Sequence, residues 1–191
     1  MLMDIIKARH SIRKYTSQQI SREDLDKILE AGNYAPNAGG GQRSMMVAIH
    51  DKEKAVHLGQ MNLARFNRSN LEGSYVSKEQ PSVIDNPKMK NGFYDAPTVV
   101  CIFCQDNFLF NTADAFCIAE NMILQATELG ISSCIISRGY ETFDCPEGRE
   151  LCKEWGVPEN YSCQAFVILG YIDGPQPTSK PRRENRVVVV E

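Results

Sequence analysis

The stretch ADAFCIAENMILQATELGISSCII, residues 113–136, decides how this chain is read. Phe116, Ala119, Ile123, Ala126 and Leu129 recur at helical spacing, and Met122 and Leu124 widen the stripe. A helix from Ala113 to Leu129 is therefore apolar over most of its circumference, which predicts burial on more than one side. Gly130 stops it, and Ser133–Ile136 follows as a short strand.

Upstream of this helix, Thr98-Val99-Val100-Cys101-Ile102-Phe103-Cys104 reads as a buried strand. Downstream, Pro146–Trp155 reads as a helix and Gln164–Leu169 as a last core strand. Near the N-terminus a short helix is expected from about Asp4 to Arg9. Ser21-Arg22-Glu23-Asp24 is a capping-box pattern that opens a better-marked helix, with Leu25, Ile28, Leu29 and Gly32 on one stripe and Pro36 ending it. Asn37–Gln42 must be a loop, Met45–Ile49 a strand, and Asp51 to about Arg65 a helix. Residues 66–92 are polar and rich in turn formers, as in a substrate-side excursion. The tail from Asp173 is basic and Pro-rich and ends in Val187-Val188-Val189-Val190. Four β-branched residues there make more sense as a strand added to another surface than as a free edge. The pattern is α+β with mixed strands, and residues 1–191 read as a single domain.

The bulk properties narrow the class. A length of 191 residues suits one domain with a real core, and 42% hydrophobic with 24% charged residues is ordinary for a globular protein. A net charge of -3 argues against a nucleic-acid partner. No signal peptide is legible, and the longest apolar run is too short to span a bilayer, so a cytoplasmic protein is expected. Seven scattered cysteines do not form a secreted disulfide framework. Cys101 and Cys104 have C-x-x-C spacing, but on a strand positions i and i+3 point to opposite faces. Reduced core thiols are the preferred reading. The three histidines, His10, His50 and His57, form no ligand cluster, and no metal site is expected.

Three clusters could carry chemistry. Arg9-His10-Ser11-Ile12-Arg13 is a compact anion site or a solvated basic turn. Pro36-Asn37-Ala38-Gly39-Gly40-Gly41-Gln42 lets backbone approach a ligand, or is a flexible turn. It has neither the Lys-Ser/Thr of a phosphate loop nor a G-x-G-x-x-G fingerprint. Lys180-Pro181-Arg182-Arg183 alone is a basic linker.

Together and in order, these segments resemble the nitroreductase family. Arg9–Tyr15 is similar to its R-[RH]-S-x-[RK]-x-[FY] opening, and Leu25–Gly32 followed by Tyr34–Ala38 and Gln42 to its "ILEAAxxAPSxxNxQPW" segment. Tyr94–Val100 resembles its "APxxI" strand entry, Asp114–Cys134 its central helix and "LGLGSC" exit, and Gly170-Tyr171 with Lys180-Pro181-Arg182 its "GYP…KPR" close. The resemblance implies a three-layer α/β/α sandwich with a mixed, largely antiparallel sheet. It also implies a homodimer with the C-terminal tail (residues 173–191) swapped onto the partner and FMN at the interface.

The site residues the resemblance implies are these. Arg9 and Ser11, with His10 between them, would face the FMN phosphate and ribityl chain, and Lys180 and Arg182 would complete the phosphate clamp. Arg13 would lie near flavin N1 and the C2 carbonyl, where a fixed cation favours the anionic reduced flavin. Pro36, Asn37, Ala38 and Gly40 would reach the flavin from the partner chain. Asn62 and Arg65 match an element that touches the ring, and Ile135, Ile136 and Ser137 would run beside N5. This chain departs from the pattern at Gly40 (family Asn), at Arg43-Ser44 (Pro-Trp) and at Ser137-Arg138 (Glu-Gly). The implied activity is hydride transfer from NADH or NADPH through flavin N5 to a nitroaromatic, quinone or similar small-molecule acceptor, in a ping-pong cycle with no catalytic side chain. Alternatives are an enone reductase, dehalogenating or flavin-fragmenting member of the family, a flavin storage or sensor protein, and a thiol-redox protein using Cys101 and Cys104.

Overall fold

The structure, a computed structural model, describes residues 1–65 and 88–191. In chain order it contains α1 (Leu2–Ala8), α2 (Arg22–Asn33), β1 (Ser44–Ile49), α3 (Lys52–Ala64), β2 (Thr98–Gln105), α4 (Asn111–Glu128), β3 (Ser132–Ile136), α5 (Tyr140–Phe143), α6 (Pro146–Glu154) and β4 (Tyr161–Gly170). Local chemistry sets several of these boundaries. The Ser21 hydroxyl accepts from the Asp24 amide at 3.0 Å, and Asp51 does the same for Lys54 at 2.9 Å, satisfying amides that the first helical turn leaves open. Gly130 takes φ +72 immediately after α4, the left-handed stop that glycine adopts without strain.

The four strands form one sheet in the order β1-β2-β4-β3, antiparallel at every pairing. Its mixed character comes from a parallel bridge between Ser11 and Ser133, where the Ile12 amide donates to the Ser133 carbonyl at 2.9 Å. Beyond β4 the chain pairs again with the N-terminal segment: Tyr15 bridges Ile172, and the Thr16 and Asp173 amides donate to the Tyr171 and Lys14 carbonyls. Residues 9–16 thus run along the β3 edge and meet the start of the tail.

Both faces of the sheet are covered, giving three layers. On one face Val100, Ile102, Cys104, Val167 and Leu169 pack with Leu25 and Ile28 of α2 and with Ile118, Met122 and Ala126 of α4. On the other, Val99, Cys101, Phe103, Phe166 and Ile168 pack with Leu58 of α3, Phe143 of α5 and the residues around α6. The pairing register slips between Ile102 and Phe103: Ile102 faces Ala165 but Phe103 faces Cys163, leaving Gln164 as a bulge in β4. The slip leaves the alternation of β2 intact, so Cys101 lies in one core and Cys104 in the other, as their spacing predicts.

Some elements differ from expectation. α1 starts two residues early. α5 has no side-chain cap that a sequence could announce. In α4 the fully buried apolar positions are Ala115, Ile118, Ala119, Met122, Ile123 and Ala126, whereas Phe116, Leu124 and Leu129 are only half-buried. Val187 to Val190, expected to pair with another surface, form no strand within the single chain and are 77% to 91% exposed. Of the excursion expected over 66–92, residues 66–87 lie outside the described residues. Its end is anchored: the Asn91 side chain donates to the Val56 carbonyl at 3.0 Å and the Gly92 amide to the Gly59 carbonyl at 2.8 Å.

Candidate functional site

Along the β3 edge, Arg9, Ser11 and Arg13 gather around Cys134. Burial raises the Cys134 pKa, and Arg13, the Ser11 hydroxyl and Arg9 all oppose that shift. The Ser11–Ser133 bridge brings this segment against β3, and the Arg13 guanidinium donates to the Ser11 carbonyl at 3.5 Å. Ile12 is buried between them, which turns its neighbours outward. His10 is engaged on both ring nitrogens: Nδ1 lies 2.7 Å from the Ala8 carbonyl and Nε2 lies 3.2 Å from the Ser179 hydroxyl. Ser179 also donates to the Lys7 carbonyl at 3.2 Å. The tail of the same chain therefore returns to the N-terminal segment one residue before Lys180. A cleft of about 400 Å³ on this flank is lined by Ala8, His10, Ile12, Ser133, Gln176 and Pro177, among others. Arg182 lies farther along and is exposed, beside Arg183 and Arg186.

A second group sits at the C-terminal end of β3. Ile135 is half-buried, Ile136 is buried and Ser137 is exposed. Asn62, 2% exposed, reaches this end from α3: its amide donates to the Arg138 carbonyl at 3.1 Å and to the Thr142 hydroxyl at 2.9 Å, and its oxygen accepts from the Arg138 guanidinium at 3.2 Å. Asn62 thus braces the turn after β3, a role its sequence pattern does not disclose. Arg65 caps α3 and is exposed. Tyr94 packs against the first group, with the Arg13 guanidinium 6.0 Å from its ring centre.

The third cluster is elsewhere. Pro36–Gln42 leads into β1, the edge of the sheet opposite β3, so this chain does not bring Pro36, Asn37, Ala38 and Gly40 to the Arg9–Arg13 segment. The loop is nevertheless well fixed. The Ala38 amide donates to the buried Asp114 carboxylate at 3.0 Å, and the Asn37 side chain accepts from the Gln42 amide at 2.9 Å. Arg43 stacks on Phe108 at 4.7 Å with its guanidinium over Gly41. Gly39 and Gly40 both take left-handed φ (62° and 63°) with open space where a Cβ would stand, so backbone conformation and not crowding requires glycine there.

Sequence reasoning assigned no site role to Tyr94, Asp114 or Arg138. Asp114 was legible only as part of a helix start, and Tyr94 only as part of a strand entry. Among the described residues no group of three or more His, Cys, Asp or Glu could hold a metal ion, and no helix is long and apolar enough to cross a membrane.

Comparison with known proteins identifies the family. The profile of the Nitroreductase family matches residues 6–171, and the chain belongs to that family of oxidoreductases. A nitroreductase from Bacteroides fragilis, solved with bound FMN, is 31% identical and superposes with a TM-score of 0.81 over 100% of this chain and 98% of that one. An NADPH-flavin oxidoreductase of Vibrio harveyi is 27% identical over 99% of this chain and 72% of its own length. An iodotyrosine deiodinase of Thermotoga neapolitana is 21% identical over 96% of this chain and 95% of its own.

Proposed function

We propose that this protein is an FMN-dependent NAD(P)H oxidoreductase whose acceptor is a nitroaromatic, a quinone or a similar small molecule. The observation that carries the reading is the meeting of the two chain ends: Arg9, Ser11 and Arg13 on the β3 edge, joined through His10 and Ser179 by the segment bearing Lys180. Cations from both ends with one hydroxyl fit a phosphate dianion, since guanidinium and ammonium groups form charge-assisted bonds to it. FMN held there would supply the redox chemistry that links NADH or NADPH to the acceptor.

The chain's own residues then have separable tasks. Arg9, Ser11, Lys180 and Arg182 hold the phosphate and ribityl end, with His10 tying the two chain ends together. Arg13 supplies fixed positive charge toward the ring. The end of β3, from Ile135 to Ser137, forms one wall beside it, and Asn62 fixes that wall from behind, with Arg65 at its rim. Donor and acceptor use the same open face in turn, a ping-pong order.

Pro36, Asn37, Ala38 and Gly40 serve the site of a second copy. Their position at the opposite sheet edge supports a homodimer in which each site draws on both chains. The half-exposed Phe116 and Leu124 of α4 and the bare Val187–Val190 supply apolar surface for that contact. The iodotyrosine deiodinase likeness keeps a specialised member of the family as the second reading.

The test is FMN affinity. Arg9→Ala and Lys180→Ala should each weaken FMN binding by about tenfold or more, the worth of a charge-assisted hydrogen bond. Wild-type affinity in both variants would remove the phosphate assignment.

A further inference from the structure

Tyr94 packs against an arginine at the inner end of this site. Arg13 comes over its ring from the N-terminal segment. Arg138 stands in the turn after β3, where its guanidinium reaches Asn62. Burial lowers the Arg138 pKa, and Tyr94 and then Glu141 oppose that shift. Glu141 is exposed at the start of α5.

Arg138 is also fixed in place. Its backbone carbonyl accepts from Asn62 at 3.1 Å and from Thr142 at 3.1 Å, and its guanidinium donates to the buried Asn62 oxygen at 3.2 Å. The opposite wall is constrained as well, since Tyr94 and Asp95 both adopt left-handed φ, 56° and 61°. Side chains rarely take that conformation, and it persists where surrounding structure over-determines it, often at ligand sites. Two of the Arg138 bonds fix its backbone and the third ties its half-buried guanidinium to Asn62, beside Ile136 and Ser137, and the planar fork of such a cation matches a carboxylate.

The geometry points to Arg138 as a specificity-determining residue that holds the carboxylate of an anionic, planar electron acceptor. This rests on the function proposed above and narrows its substrate class. Arg138 lies at the end of β3 away from the Arg9 and Ser179 segment, so it is not part of the phosphate clamp. The other anion that could reach it is the pyrophosphate of the nicotinamide donor, and the test separates the two.

FMN-loaded protein is titrated with benzoate and with neutral benzamide, following the change in flavin absorption. Benzoate should bind about tenfold or more tightly than benzamide, the advantage of one charge-assisted contact. Arg138→Gln should remove that advantage and Arg138→Lys should keep part of it. In turnover, Arg138→Gln should raise KM for 4-nitrobenzoate by a similar factor and leave KM for nitrobenzene and for NADPH unchanged. Equal binding of benzoate and benzamide by the wild-type protein overturns the assignment, even if Arg138→Gln does not fold. A rise confined to KM for NADPH overturns it by placing the anion in the donor. FMN uptake without any benzoate preference defeats this inference alone, whereas a protein that takes up no FMN defeats the underlying reading with it.

Discussion

Cys101 and Cys104 show how far one strand residue's neighbours determine its chemistry. Three positions apart on β2, they sit in opposite cores and cannot form a redox pair across the sheet. Burial pushes the Cys101 and Cys163 thiols well above their ordinary range and Cys104 to about 12. Such thiols bind protons in the folded state that the unfolded chain releases above its pKa of about 9, so stability should fall as pH rises from there. Each thiol contributes a slope of up to about 1.4 kcal/mol per pH unit between its unfolded and folded values. Urea unfolding between pH 8 and 10.5 should show this decline, and Cys104→Ala should flatten it. Equal slopes for wild type and variant would mean that Cys104 ionises freely in the fold. The alternation of apolar residues made this arrangement legible in the sequence. Arg138 was legible only as a departure from a motif. Its partner Asn62 is 76 positions away and meets it only because α3 and the end of β3 converge.

Elements were legible where they carry local signals. The Ser21 cap and Gly130 stop mark α2 and α4, and β2 and β4 announce themselves as apolar runs. α5, four residues without a side-chain cap, exists because Thr142 and Phe143 are buried by tertiary contacts, and no local pattern marks it. The tail is the element with the most to test. From Gly170 it leaves the sheet, touches its own N-terminal segment at Ser179 and then exposes four valines. Ending the chain before Asp173 removes Lys180, Arg182 and the valine run together. The shortened protein should be FMN-free and poorly dimeric by absorption and sedimentation. A truncated protein that stays dimeric and yellow would show that neither property depends on the tail.

In the whole molecule, the sheet separates the pieces of the proposed site. The Arg9–Arg13 segment and the tail lie on the β3 edge, and the Gly39–Gly40 loop, clamped by Asp114, lies on the β1 edge. One chain cannot bring them together, which is why the account needs a second copy to complete each site. The ordered motifs made the family legible. The spatial separation of the clusters was not legible, because it depends on strand order. The most direct measurement is an anaerobic titration of the purified, FMN-loaded protein with NADH and with NADPH, followed by addition of 4-nitrobenzoate. The account predicts a flavin spectrum that bleaches with at least one nicotinamide and returns with the acceptor. A flavin that stays oxidised with both donors would contradict it and favour a storage or sensor protein.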